Sequence, residues 1–122
     1  MATNAFGKFI RKYRIDSSLL LKDMADALGI KSAYLSGMET GSKPIPAGFC
    51  EKIANTYGFD NQQKSALQKS IDESQTTVKV ETFNDPLNQQ LAAAFARSIN
   101  DLSIEDKQRI MEIFKNGKKR CL

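Results

Sequence analysis

The chain contains no histidine. That removes the commonest general base, the commonest metal ligand and the side chain that titrates near neutral pH. Cysteine is scarce: Cys50 and Cys121 stand far apart and in no metal-binding spacing. They are expected as reduced thiols of a cytoplasmic protein, with Cys50 packed in a helix. No glycine-rich loop with its lysine is present to cradle a phosphate, and no Cys-x-x-Cys pair occurs. The carboxylates fall mostly on expected outer helix faces. These gaps point away from catalysis, so neither an enzyme nor a cofactor nor a metal is expected. No apolar run approaches the roughly 20 residues of a membrane helix. The start, Met-Ala-Thr-Asn, lacks the charged segment and apolar core of a secretory signal.

What is present is enough for a packed core. The 122 residues are 41% hydrophobic, which suits a folded domain with an appendage. The net charge of +4 decides little, but its distribution says more. Lys8, Arg11, Lys12, Arg14, Lys22, Lys31 and Lys43 crowd the first forty-odd residues. Residues 107–120 are basic again, and 80–106 between them are acidic. A basic head suits phosphate contact, although any single lysine alone reads first as part of a solvated helix face.

Hydrophobic periodicity divides the chain into seven helices. Phe6, Phe9, Ile10 and Tyr13 recur at helical spacing and predict a first helix over 4–15. A second runs from Leu20 to Leu28 and a third from Ser32 to Thr40. Pro46 suits the first turn of a fourth helix, with Phe49, Ile53, Ala54 and Tyr57 inward. Asp60 or Asn61 caps a fifth, which turns Ala66, Leu67 and Ile71 to the core. After the polar Ser74–Thr77 stretch, Val78–Phe83 alternates and reads as a short strand or an extended segment. A sixth helix over 86–100 carries Leu87, Leu91, Ala94, Phe95 and Ile99. Ser103 caps a seventh, with Ile104, Ile110, Ile113 and Phe114, and Asn116–Arg120 reads as a basic tail. The fold class is all-α: a five-helix bundle over 1–74, a linker over 75–85 and a helical C-terminal region over 86–122.

Met24 to Gly41 is the most telling stretch. Met24, Ala25 and Leu28 share a face, Gly29 breaks the helix, and Ile30 returns to the core. Ser32 is placed to cap the next helix, Leu35 and Met38 carry its apolar face, and Gly41 ends it. Two short helices joined by a glycine turn form a helix-turn-helix, whose second helix enters the major groove of DNA.

On Leu21–Ile30, Tyr34–Gly41 and Pro46, residues 6–74 resemble the lambda repressor/Cro-type helix-turn-helix family, the Xre-like regulators. Ala25, Gly29, Leu35, Ser36, Glu39 and Gly41 carry the likeness. The Ala-Phe-Ala-Arg97 and Leu102–Asp106 runs are similar to the tails of prophage-type members. The resemblance implies a lambda-repressor-like bundle and a buried ion pair of Arg14 with Glu39, tying the first helix to the recognition helix. It implies that Ser32, Ala33, Ser36 and Gly37 face base edges. It further implies that Lys22, Lys31, Tyr34 and Lys43 reach phosphates, with the amides that start helix two.

Two departures stand out. The family often has glutamine, arginine or asparagine at base-facing positions, where a bidentate contact is worth about 1–3 kcal/mol. Ser32, Ala33 and Gly37 cannot make one. Leu19-Leu-Leu21 stands where the family commonly has a capping residue and a phosphate-binding glutamine. Ser17 or Ser18 is left as the alternative cap, and an exposed leucine there would mark a protein contact.

The expected function is a sequence-specific, double-stranded-DNA-binding regulator of transcription, a repressor acting as a homodimer on a two-fold symmetric operator. Leu87, Leu91, Phe95, Ile110 and Phe114 are its expected dimer contacts, with Val78–Phe83 pairing across the axis. The alternative is a protein-interaction module or an antitoxin-type protein that holds a partner protein through its C-terminal helices. A membrane partner is not expected.

Overall fold

The computed structural model describes residues 2–120. Helix α1 (Ala5–Asp16) begins at Asn4, whose side chain accepts a hydrogen bond from the Gly7 N–H at 2.8 Å. Phe6, Gly7, Ile10 and Arg14 form its buried stripe. Helix α2 (Leu21–Leu28) has no side-chain cap from Ser17 or Ser18; Leu20 precedes it, and its N–H donates to the Asp23 carboxylate at 2.9 Å. Gly29, at φ 71°, ends α2 in the left-handed conformation. Its N–H donates to Asp26, and the Ile30 N–H donates to Ala25 at 3.0 Å. These two bonds close the helix end and set the angle at which the chain leaves.

Helix α3 (Ser32–Thr40) starts at Lys31. Ser32 is its first helical residue and not the cap, because the Lys31 carbonyl already accepts from Tyr34 and Leu35. Helix α4 (Phe49–Tyr57) starts later than expected. Gly48, at φ 79°, sits just before it. A helix cannot run through a left-handed residue, so Pro46 lies in the preceding turn, where its carbonyl accepts from the Phe49 N–H at 3.2 Å. Helix α5 (Asn61–Ser74) opens on a reciprocal cap between Asp60 and Gln63, at 2.7 and 3.0 Å. Ala66 is exposed; the third buried position of α5 is Ser70, whose hydroxyl donates to the Leu67 carbonyl at 2.7 Å.

These five helices enclose one core, built on Phe6, Ile10, Met24, Leu28, Leu35, Met38, Ile53 and Leu67. Tyr13 lies edge-on against Tyr57 and Phe59, with ring centroids 5.3 and 5.0 Å away. The Tyr57 hydroxyl is shut off from solvent and has no hydrogen-bond partner among the described residues. An unpaired buried hydroxyl costs about 1–3 kcal/mol, so Tyr57→Phe is expected to stabilise the domain by about 1 kcal/mol in urea unfolding. Burial first, then the neighbouring Tyr13, pushes the Tyr57 phenol above its ordinary value. The folded state therefore favours the protonated phenol. Its contribution to stability is complete below pH about 10 and is lost as pH rises through the folded value. The phenylalanine variant should lose less stability over that alkaline range.

The chain divides into two units, Met1–Val78 and Lys79–Leu122, at a point inside the expected 75–85 linker. In the second unit Asp85 caps helix α6 (Pro86–Ser98), accepting from Leu87 and Asn88 at 2.9 and 3.2 Å. The expected helix over 86–100 tightens at its end into a 3₁₀ turn, Ile99–Asp101. Ser103 accepts from the Asp106 N–H at 3.1 Å and starts helix α7 (Ile104–Arg120). Asn116–Arg120 is thus the end of α7 and not a loose tail. Val78–Phe83 forms no strand, because no second strand lies beside it among the described residues. Cys121 lies outside the described residues; Cys50 is free and buried in α4.

Candidate nucleic-acid interface

The recognition helix is held from below by charge. Glu39 is almost fully buried on the inner face of α3. Arg14 meets its carboxylate with two nitrogens, at 2.7 and 3.0 Å, and the Arg11 Nε donates to it at 2.9 Å. Both carboxylate oxygens are therefore filled, and the planar Arg14 fork fixes the pair's orientation. Arg14 is the expected partner. Arg11 was not foreseen, although it lies one turn before Arg14 on α1 and so faces the same side.

The end of α3 is held by backbone contacts that the sequence did not announce. The Asn4 amide donates to the Met38 carbonyl at 2.9 Å, and the Asn4 N–H donates to the Glu39 carbonyl at 3.0 Å. One residue thus starts α1 and closes α3. Gly7 lies directly against this end: a Cβ there would overlap the Glu39 carbonyl oxygen and the Thr3 methyl. Glycine is needed because the backbones of α1 and α3 approach too closely for any side chain.

On the outer face of α3, Ala33 is exposed and Ser32 and Ser36 are half-buried. Gly37, one turn on from Ala33, is not open as Ala33 is. It is buried under the side chains of Ser42 and Lys43, and its carbonyl accepts from the Lys43 N–H at 3.1 Å. Gly37 therefore leaves the base-facing set: its missing side chain lets the 42–43 loop fold back over the helix. Lys22 on the first turn of α2, Lys31 ahead of α3, and Lys43 are all exposed. Tyr34 is half-buried, its hydroxyl donating to the Pro44 carbonyl at a long 3.5 Å. Of the Leu19–Leu21 run, Leu19 and Leu21 are half-buried and Leu20 is exposed.

Burial pushes the Cys50 thiol above its ordinary value. A protonated, buried thiol is a poor nucleophile. No helix among the described residues is long and apolar enough to cross a membrane.

A family model described as a helix-turn-helix domain matches residues 5–67. No curated protein and no solved structure matches the chain. The matched span takes in α1 to α3, the glycine turn and both arginines that hold the Glu39 carboxylate, and it exceeds half the sequence. The chain belongs to the helix-turn-helix domain family.

Proposed function

We propose that this protein is a sequence-specific regulator of transcription, a repressor of the lambda repressor/Cro type and of prophage character. It binds double-stranded DNA as a homodimer in the cytoplasm and acts by binding, not by catalysis. The observation that carries this reading is the outer face of α3. Ser32, Ala33 and Ser36 lie there between exposed lysines, on a helix whose inner face is fixed by Glu39 and its arginines. A short helix held at a fixed angle, with small polar residues outward and cations around it, suits a major groove.

Small side chains read bases weakly. Specificity then leans on phosphate contacts and DNA shape. Lys43→Ala is expected to weaken binding to every duplex and to lower the salt slope by about 1 per copy. Ser32→Gln is expected to change which sequence binds best. Competition binding across salt concentrations checks both, and equal losses of both kinds in both variants would refute the assignment of roles.

Dimerisation is supported by the second unit. Leu87, Leu91 and Phe95 follow one another along α6 at four-residue spacing, and all are exposed. On α7 Phe114 is exposed and Ile110 half-buried. Two short helices cannot bury such a stripe alone. With a second copy they can, and two recognition helices would then meet half-sites roughly 34 Å apart. Selection from a random duplex pool tests the whole reading. A two-fold symmetric motif with that spacing supports it; no retention at low salt refutes it.

A second reading, a protein-interaction or antitoxin-type module, is favoured by one observation. Ile15 and Leu20, at the end of α1 and just before α2, are both largely exposed. A stoichiometric partner protein that co-purifies and is lost on Leu20→Glu would favour it.

A further inference from the structure

Residues Thr76–Thr82 stand between the end of α5 and a turn in which the Asp85 N–H donates to the Thr82 carbonyl at 3.1 Å. No other backbone group of this stretch has a hydrogen-bond partner among the described residues. Yet its composition, Thr-Thr-Val-Lys-Val-Glu-Thr, is that of a strand. Val78 and Val80 are exposed, and so are Lys79 and Glu81 between and after them. A row of unpaired backbone groups beside exposed β-branched residues is a template for another strand.

The charges specify which strand. Lys79 and Glu81 lie symmetrically about Val80. If two copies of the segment pair antiparallel with Val80 on the two-fold axis, Lys79 stands opposite the second copy's Glu81, and Glu81 opposite its Lys79. Val80 meets Val80, and Val78 meets Thr82, on the other face. Parallel pairing would set Lys79 against Lys79 and Glu81 against Glu81. An antiparallel shift of two residues would set Glu81 against Glu81 in one direction or Lys79 against Lys79 in the other, and a shift of one would set opposite faces together. The segment is thus self-complementary in one register only.

We infer that Val78–Thr82 pairs with the same segment of a second copy as an antiparallel two-stranded ribbon centred on Val80. The inference rests on the homodimer reading and adds to it the element that sets the register of the two chains. Side chains directly opposite in such a ribbon are about 4.5–5.5 Å apart, within reach of an ion pair.

The test is the dimer dissociation constant of the full chain, measured by analytical ultracentrifugation. Lys79→Glu sets like charges opposite each other twice and is expected to weaken the dimer about tenfold. Lys79→Glu combined with Glu81→Lys restores opposite pairs and should return to within about twofold of the original. With Cys121 replaced by serine, Val80→Cys should give a covalent dimer on mild oxidation, and Lys79→Cys should not. A dimer that the single exchange leaves unchanged, or that the double exchange does not restore, overturns the ribbon while leaving the homodimer reading intact. A chain that is monomeric at tens of micromolar, whether free or on DNA, overturns both.

Discussion

Glu39→Ala is expected to destabilise the N-terminal unit by about 3–5 kcal/mol, the cost of leaving a buried charge without its partner. Removing the carboxylate strands Arg14, which is itself buried and whose guanidinium nitrogens otherwise lie on Glu39 and, at 3.7 Å, on the Met24 sulfur. Guanidinium cannot escape by losing its proton, because arginine keeps its charge in proteins. It must drag water into the core or swing out and leave a cavity. A small domain has about 5–15 kcal/mol of stability in all, so this one change consumes a large part of it. Urea unfolding at neutral pH measures the loss. Arg11→Ala should cost far less, about 1 kcal/mol, because Arg11 is half-exposed and water can replace it. The double variant Arg14→Met, Glu39→Leu removes both charges and should recover most of the stability lost in Glu39→Ala. If Glu39→Ala cost under about 1 kcal/mol, the anchoring role given to the pair would be wrong.

Gly7→Ala separates two opposed effects. Alanine in a helix interior is better than glycine by about 1 kcal/mol, so propensity alone predicts a more stable protein. The structure predicts the reverse. The new methyl would overlap the Glu39 carbonyl oxygen, which is backbone and cannot rotate away as a side chain can. Helices α1 and α3 must then move apart, and overpacking of this kind costs about 1–3 kcal/mol. The shift falls on the segment that carries Glu39 and is held by Asn4. We expect a net loss of stability and, in the folded fraction, weaker binding to duplex DNA as α3 loses its fixed angle. Thermal unfolding and DNA titration on the same variant give the two readouts. A stability gain would mean that the close approach of the two backbones is not needed.

Much of the fold was legible because it is written in local terms. The helix-turn-helix boundaries follow from apolar spacing and from glycine at 29 and 41. Caps at Asp60 or Asn61 and at Ser103 could be read because their residue types bond to amides three positions along the chain, as Asp60 and Ser103 do. The misplaced start of α4 has an equally local cause. Pro46 is a good first-turn residue, but Gly48 two positions later takes a left-handed conformation and moves the helix start past it. The two readings of Val78–Phe83, strand or extended segment, could not be separated locally, because a strand exists only when another lies beside it.

The outer face of α3 shows the boundary between the two kinds of information. Local residue order was enough to require a short helix after the glycine turn, with serines and alanine outward. Periodicity and backbone sterics act over a few residues, and they leave no freedom in that respect. It took the packed fold to show that Gly37 is covered by Ser42 and Lys43, that Arg11 joins Arg14 on Glu39, and that Asn4 closes α3 as it opens α1. These contacts join residues 5 to 35 positions apart, and their geometry depends on where every helix comes to rest.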